Sequence, residues 1–93
     1  MLDELFAILR IPSISAVSAH QKDMYTMAKV LVDKFLTAGA DRAEVMETGG
    51  HPAVFAEKII GKDKPTVLVY GHYDVQPVVP LELWETPPFE PVI

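Results

Sequence analysis

The chain contains no cysteine. Disulfide staples and thiolate metal sites are therefore excluded, and any metal would have to be held by His, Asp or Glu. The same absence fits a cytoplasmic protein. Basic charge is scarce as well: 8 Lys and Arg against 13 Asp and Glu give a formal charge of −5 and a pI near 5.0. Binding phosphates needs a basic surface, so nucleic acid is not an expected partner. Lys58, Lys62 and Lys64 fall around a turn and read as a solvated cluster, not a stripe. No apolar run approaches the roughly 20 residues of a membrane span. The opening Met1-Leu2-Asp3-Glu4-Leu5 is acidic where a signal peptide would be basic, so no membrane partner is expected either. There is no internal repeat and no low-complexity tract.

What is present is apolar: 49% of the 93 residues are hydrophobic. That suffices for one core and one domain at most. A chain this short is stable alone only where its elements cover each other well. Leu2, Leu5, Phe6 and Leu9 recur at helical spacing and predict a helix over residues 2–10, ended by Ile11-Pro12. Ser13-Ile14-Ser15 and Ser18 form a polar connection. A second helix is expected over 21–38, with Asp23 near its start and Gly39 as its stop. Met24, Met27, Ala28, Leu31, Phe35 and Leu36 line its apolar face, the methionines as core fillers and not as ligands. Three strand candidates follow: Ala43 to Thr48, Ala53 to Ile60, and Val67 to Tyr70. The last is short and wholly apolar, which suits a strand buried on both faces. From Pro77 onward prolines crowd the chain, and an extended, irregular segment is expected there. Val92-Ile93 reads as the start of a further element, so the chain is expected to be a piece of something longer. Helices followed by strands imply an α/β layer structure.

The chemistry concentrates where the third apolar run stops at Gly71. His72 can ligate a divalent metal through one ring nitrogen. Asp74 lies on the same side of an extended chain, because side chains alternate with period two, and can accept the other ring N–H. The carboxyl end of a buried strand is where open α/β sheets place their sites. One imidazole and one carboxylate do not complete a metal site. His51, after two glycines and before Pro52, reads as a loop residue, and His20 as an exposed residue near a helix start. Tyr73 points away from His72 and is expected to pack. Trp84 and Phe89 are expected to pin the proline-rich segment.

The wider string is more specific. VLVYGHYDVQP at 67–77, followed by LWETPPFEP at 83–91, closely resembles the co-catalytic zinc peptidase family. That family holds aminoacylases, succinyl-diaminopimelate desuccinylases, glutamate carboxypeptidases and carnosinase-like dipeptidases. The Tyr-Asp-Val-Gln-Pro wording is most similar to the dipeptidase branch. LRIPSIS at 9–15, TAGA at 37–40 and the strand, Gly-Gly, strand order resemble the same family's opening. The resemblance implies a partial three-layer catalytic domain: two helices, about three strands and an incomplete sheet. It implies that residues 1–93 are the N-terminal part of that domain, and that the lid and dimerisation domain is absent. On this resemblance His72 is a zinc ligand and Asp74 the catalytic-centre aspartate that orients it. Glu82, Glu85 and Glu90 match no functional position. The bridging aspartate, the general base and the remaining ligands of a two-zinc site have no counterpart here.

The resemblance thus implies a parent enzyme that cleaves peptide or acyl-amino-acid substrates with two Zn²⁺ ions. The 93 residues alone are expected to hold no zinc tightly and to be inactive. Another reading, from a different class, is a non-catalytic module that forms homo-oligomers, or complements the rest of the enzyme, through exposed sheet edges. A third is a small metal-binding protein using His72, Asp74 and His51.

Overall fold

The computed structural model describes residues 1–93. Helix α1 spans Leu2–Leu9, with Asp3 and Glu4 in its first turn, where acidic groups suit the helix dipole. It ends as Arg10 donates its N–H to the Phe6 carbonyl at 3.1 Å, just before Ile11-Pro12. A single 3₁₀ turn over Ser18–His20 leads directly into helix α2, Gln21–Thr37. Gly39 terminates α2 at φ +106°, a conformation that a Cβ disfavours. The Ala40 N–H reaches the Phe35 carbonyl at 3.0 Å and the Gly39 N–H reaches Leu36 at 3.1 Å. These two bonds are the Schellman closure, which satisfies carbonyls that the helix end leaves unpaired.

Strands β1 (Arg42–Met46) and β2 (Ala53–Glu57) pair antiparallel, from Arg42↔Glu57 to Met46↔Ala53. Ala43 and Val45 are half-buried while their neighbours on β1 are exposed, the alternation expected of a strand with one covered face. Gly49 takes φ +82° in the connecting turn. There the Thr48 hydroxyl accepts the Gly50 N–H at 3.2 Å and donates to the His51 carbonyl at 2.6 Å. Helix α2 packs across both strands. The core consists of Met24, Met27 and Ala28 from that helix and Ile14 from the preceding connection. Lys34 on α2 ties α1 down through an exposed 2.9 Å ion pair with Glu4.

The α/β class and the two helices match the expectations from sequence. Three details differ. Phe35 and Leu36 remain 44% and 47% exposed, so the buried face of α2 covers only its first half. A five-residue strand spans about 17 Å, whereas a 17-residue helix runs about 26 Å, so this sheet cannot cover the whole helix. Strand β2 stops at Glu57, and Ile59 and Ile60 are exposed.

The third strand, expected over Val67–Tyr70 as a doubly buried element, does not form. Those residues make no ladder, and each is more than 80% exposed. A strand exists only with a hydrogen-bonded neighbour, and none of these 93 residues lies beside that run. The site therefore does not sit at the end of a buried strand. The accessible surface is 7425 Å², against about 5400 Å² for a compact monomer of this mass. The radius of gyration is 15.7 Å, against roughly 12 Å for a compact chain of this length. Exposed apolar side chains in the second half of the sequence, Ile60, Val67–Tyr70 and Val79 among them, contribute to that excess.

Candidate functional site

The site begins with the connection after α1. Residues 13–15 run alongside 73–75, and Ile14 forms a parallel bridge with Val75. The Val75 N–H donates to the Ser13 carbonyl at 2.9 Å. The fully buried Ser13 hydroxyl donates to the Tyr73 carbonyl at 3.0 Å. With Ile14 directed into the core, Ser13 and Ser15 face the other way. Ser15 Oγ consequently meets Asp74 and donates to Oδ2 at 2.6 Å.

The second oxygen of that carboxylate serves His72. Asp74 Oδ1 lies 3.0 Å from His72 Nδ1, and the Asp74 carbonyl lies 3.2 Å from the same nitrogen. Both are acceptors, so Nδ1 carries the proton and Nε2 keeps its lone pair. The His72 side chain is 80% exposed and that of Asp74 38%, so Nε2 faces open solvent. The expectation that His72 and Asp74 share a side is met. The Ser15 hydroxyl holds the Asp74 carboxyl below its ordinary value; burial opposes this, and the His72 ring adds to the lowering.

Tyr73 points the other way, half-buried, and its hydroxyl donates to the carbonyl of buried Pro52. Burial, and secondarily the nearby Asp74 charge, raises its phenol pKa. His51, from the same β1–β2 turn, donates from Nε2 to the Ser15 carbonyl at 2.7 Å. His51 is thus a clasp on the 13–15 segment and takes no place beside His72. His20 pairs with Asp23 at 2.7 Å at the start of α2. No three His, Asp or Glu residues converge on a common point, which removes the reading of a self-contained centre built from His72, Asp74 and His51.

His72 and Asp74 border a cleft of about 870 Å³, walled by α1, α2 and the proline-rich segment, with Ile8, Leu31, Trp84 and Phe89 among its lining. Phe89 is half-buried there, as expected of a pinning residue, whereas Trp84 is 50% exposed. Sequence reasoning named Ser15 only as part of a polar connection and His51 as a loop residue, and missed their contacts with Asp74 and with the 13–15 segment. The available signal was the Ser-Ile-Ser alternation, which places two hydroxyls on the face opposite the buried Ile14.

An exposed imidazole with one nitrogen fixed by a carboxylate and the other free is the arrangement of metal-ligating histidines. Comparison with known proteins shows that the chain is similar to Cys-Gly metallodipeptidases and to succinyl-diaminopimelate desuccinylases. It is 34% identical to Cys-Gly metallodipeptidase DUG1 of Candida albicans over 95% of its own length, and 30% identical to that of Saccharomyces cerevisiae over 91%. It is 40% identical to the succinyl-diaminopimelate desuccinylase of an Azoarcus species over 54% of its length. The solved structure of the dipeptidase Dug1p from Saccharomyces cerevisiae superposes on 99% of the chain with a TM-score of 0.87 at 27% identity. The chain spans only about a fifth of these dipeptidases, 21% and 20% of the two relatives and 22% of the solved chain. No protein-family model matches it. No helix is long and apolar enough to cross a membrane.

Proposed function

We propose that residues 1–93 form the N-terminal part of the catalytic domain of a cytoplasmic, metal-dependent dipeptidase. In this reading His72 is a metal ligand through Nε2 and Asp74 is the carboxylate that orients its ring. The observation that carries the reading is the His72–Asp74 bond at 3.0 Å with Nε2 left open. It occurs in a chain similar along its whole length to a dipeptidase of solved structure. The substrate class follows from the relatives: small dipeptides such as Cys-Gly, with acyl amino acids as the neighbouring class. The residues fit a metal in part, as one nitrogen ligand and its support.

Zinc suits an imidazole and carboxylate donor set without thiolates. When bound, such ions polarise the scissile carbonyl and lower the pKa of a bound water. The role of this chain is to hold the His72 ring in one tautomer and one orientation. The other ligands, the general base and the lid and dimerisation domain lie outside these residues. The run Val67–Tyr70 supports complementation by further strands, since four exposed apolar residues with unpaired backbone groups form an open edge.

The direct experiment supplies zinc, cobalt or manganese to the purified 93 residues and follows Cys-Gly hydrolysis. No turnover is expected. Turnover that disappears in His72→Ala would overturn the reading, because the ligands would then all have to come from this chain.

A further inference from the structure

We propose that Ser15 is a positioning residue for His72: it locks the Asp74 carboxylate, and through it the Nδ1–H tautomer of the imidazole, while His51 holds Ser15 in place. The inference rests on the reading of His72 as a ligand only for its consequence. The tautomer itself is a property of these residues.

A carboxylate on a side chain turns readily about its last torsion, because the terminal sp²–sp³ well is broad and two-fold. Asp74 would therefore orient His72 poorly if only Oδ1 were engaged. Here Oδ2 is engaged too, by the Ser15 hydroxyl at 2.6 Å, which fixes the plane of the carboxylate and aims Oδ1 at Nδ1. Apart from the longer 3.2 Å contact of Nδ1 with the Asp74 carbonyl, no other hydrogen bond restrains the ring, which is 80% exposed. A free neutral imidazole side chain favours the Nε2–H form, with Nε2 blocked for ligation. Reversing that preference requires a well-placed acceptor at Nδ1, and Ser15 supplies the placement.

Ser15 is itself held by backbone contacts. The preceding residue bridges Val75, and the carbonyl of Ser15 accepts the His51 Nε2–H at 2.7 Å. His51 rides on the turn whose Pro52 carbonyl also receives the Tyr73 hydroxyl. The β1–β2 turn thus clasps both edges of the site, on Ser15 from one side and on Tyr73 from the other. His51, Ser15 and the Asp74–His72 pair, from three separate segments, form one run of hydrogen bonds that ends at Nδ1 of the ring whose Nε2 is open.

The test is nitrogen NMR of the imidazoles in the metal-free, ¹⁵N-labelled chain, followed with pH to the plateau of the ring nitrogen shifts. Wild type should show His72 as the Nδ1–H tautomer. Ser15→Ala should move the population predominantly to Nε2–H with the rest of the amide spectrum little changed, and Ser15→Thr should restore wild-type behaviour. Full retention of Nδ1–H in Ser15→Ala would overturn the proposal. If that variant does not fold, Ser15→Cys decides in the same way, since a thiol keeps the shape but is a weak donor. Metal affinity of the complete enzyme is the second readout. Ser15→Ala should weaken it by about 10–100-fold, the range typical of partners behind a metal-bound histidine. A tautomer change with unaltered metal affinity upholds the positioning role and contradicts the reading of His72 as a ligand, so the two claims fail separately.

Discussion

Two apolar truncations, Met27→Ala and Leu68→Ala, separate the packed part of this chain from its open part. Met27 is 4% exposed on the face of α2 that covers the sheet, beside Met24 and Ala28. Truncating it removes the thioether chain and leaves a cavity, at a cost of about 2–5 kcal/mol. Leu68 is 90% exposed, so its truncation should fall within about 0.5 kcal/mol of neutral. The chain is poorly placed to absorb the first loss. Only 6 of 93 residues are buried, and even ordinary domains have a total stability of roughly 5–15 kcal/mol. Met27→Ala should therefore shift the urea midpoint strongly downward or abolish cooperative unfolding, read by far-ultraviolet circular dichroism. Leu68→Ala should leave the midpoint in place. Were Leu68→Ala the costlier of the two, the Val67–Tyr70 run would be buried in solution, and the open-edge description would be wrong.

Two further outcomes follow from single positions. Gly39→Ala meets no steric obstacle, since nothing lies within 4 Å of the added Cβ. Its cost should therefore be backbone strain alone, about 1–2 kcal/mol for an L-residue at positive φ, measurable by thermal unfolding. Asp74, whose folded pKa lies below its unfolded value of about 3.8, adds stability that is fully present above that value and lost as the pH falls through the lower folded one. Wild type should thus lose stability as the pH falls below about 3.8. Ser15→Ala should start lower at neutral pH and lose less over the same fall in urea titrations.

The elements that were legible in the sequence are those set by local rules. The helix periods placed α1 and α2 to within a residue, and Gly39 closed α2 as its lack of a Cβ allows. Strands β1 and β2 were recognisable because the Gly-Gly turn brings them together at short range. Val67–Tyr70 was misread because an apolar composition reports an affinity for burial, whereas a strand requires a neighbour. The His72–Asp74 pair was legible from period-two alternation alone. Its support was not: Ser15 lies 59 residues from Asp74, and His51 lies 36 from Ser15. Such contacts depend on how segments meet; the Ser-Ile-Ser alternation puts two hydroxyls on one face but does not say what they meet. His51 also shows how a candidate ligand can serve as a clasp, since its Nε2 is occupied by a carbonyl.

The central claim is that His72 is a metal ligand in a dipeptidase of which these residues form one part. Metal content and Cys-Gly turnover of the complete enzyme, measured together for wild type, His72→Ala and His20→Ala, test it most directly. His20 is a control at the start of α2, paired with Asp23. The account predicts that His72→Ala loses bound metal and turnover together while His20→Ala retains both. A His72→Ala enzyme with full metal content and wild-type turnover would contradict it.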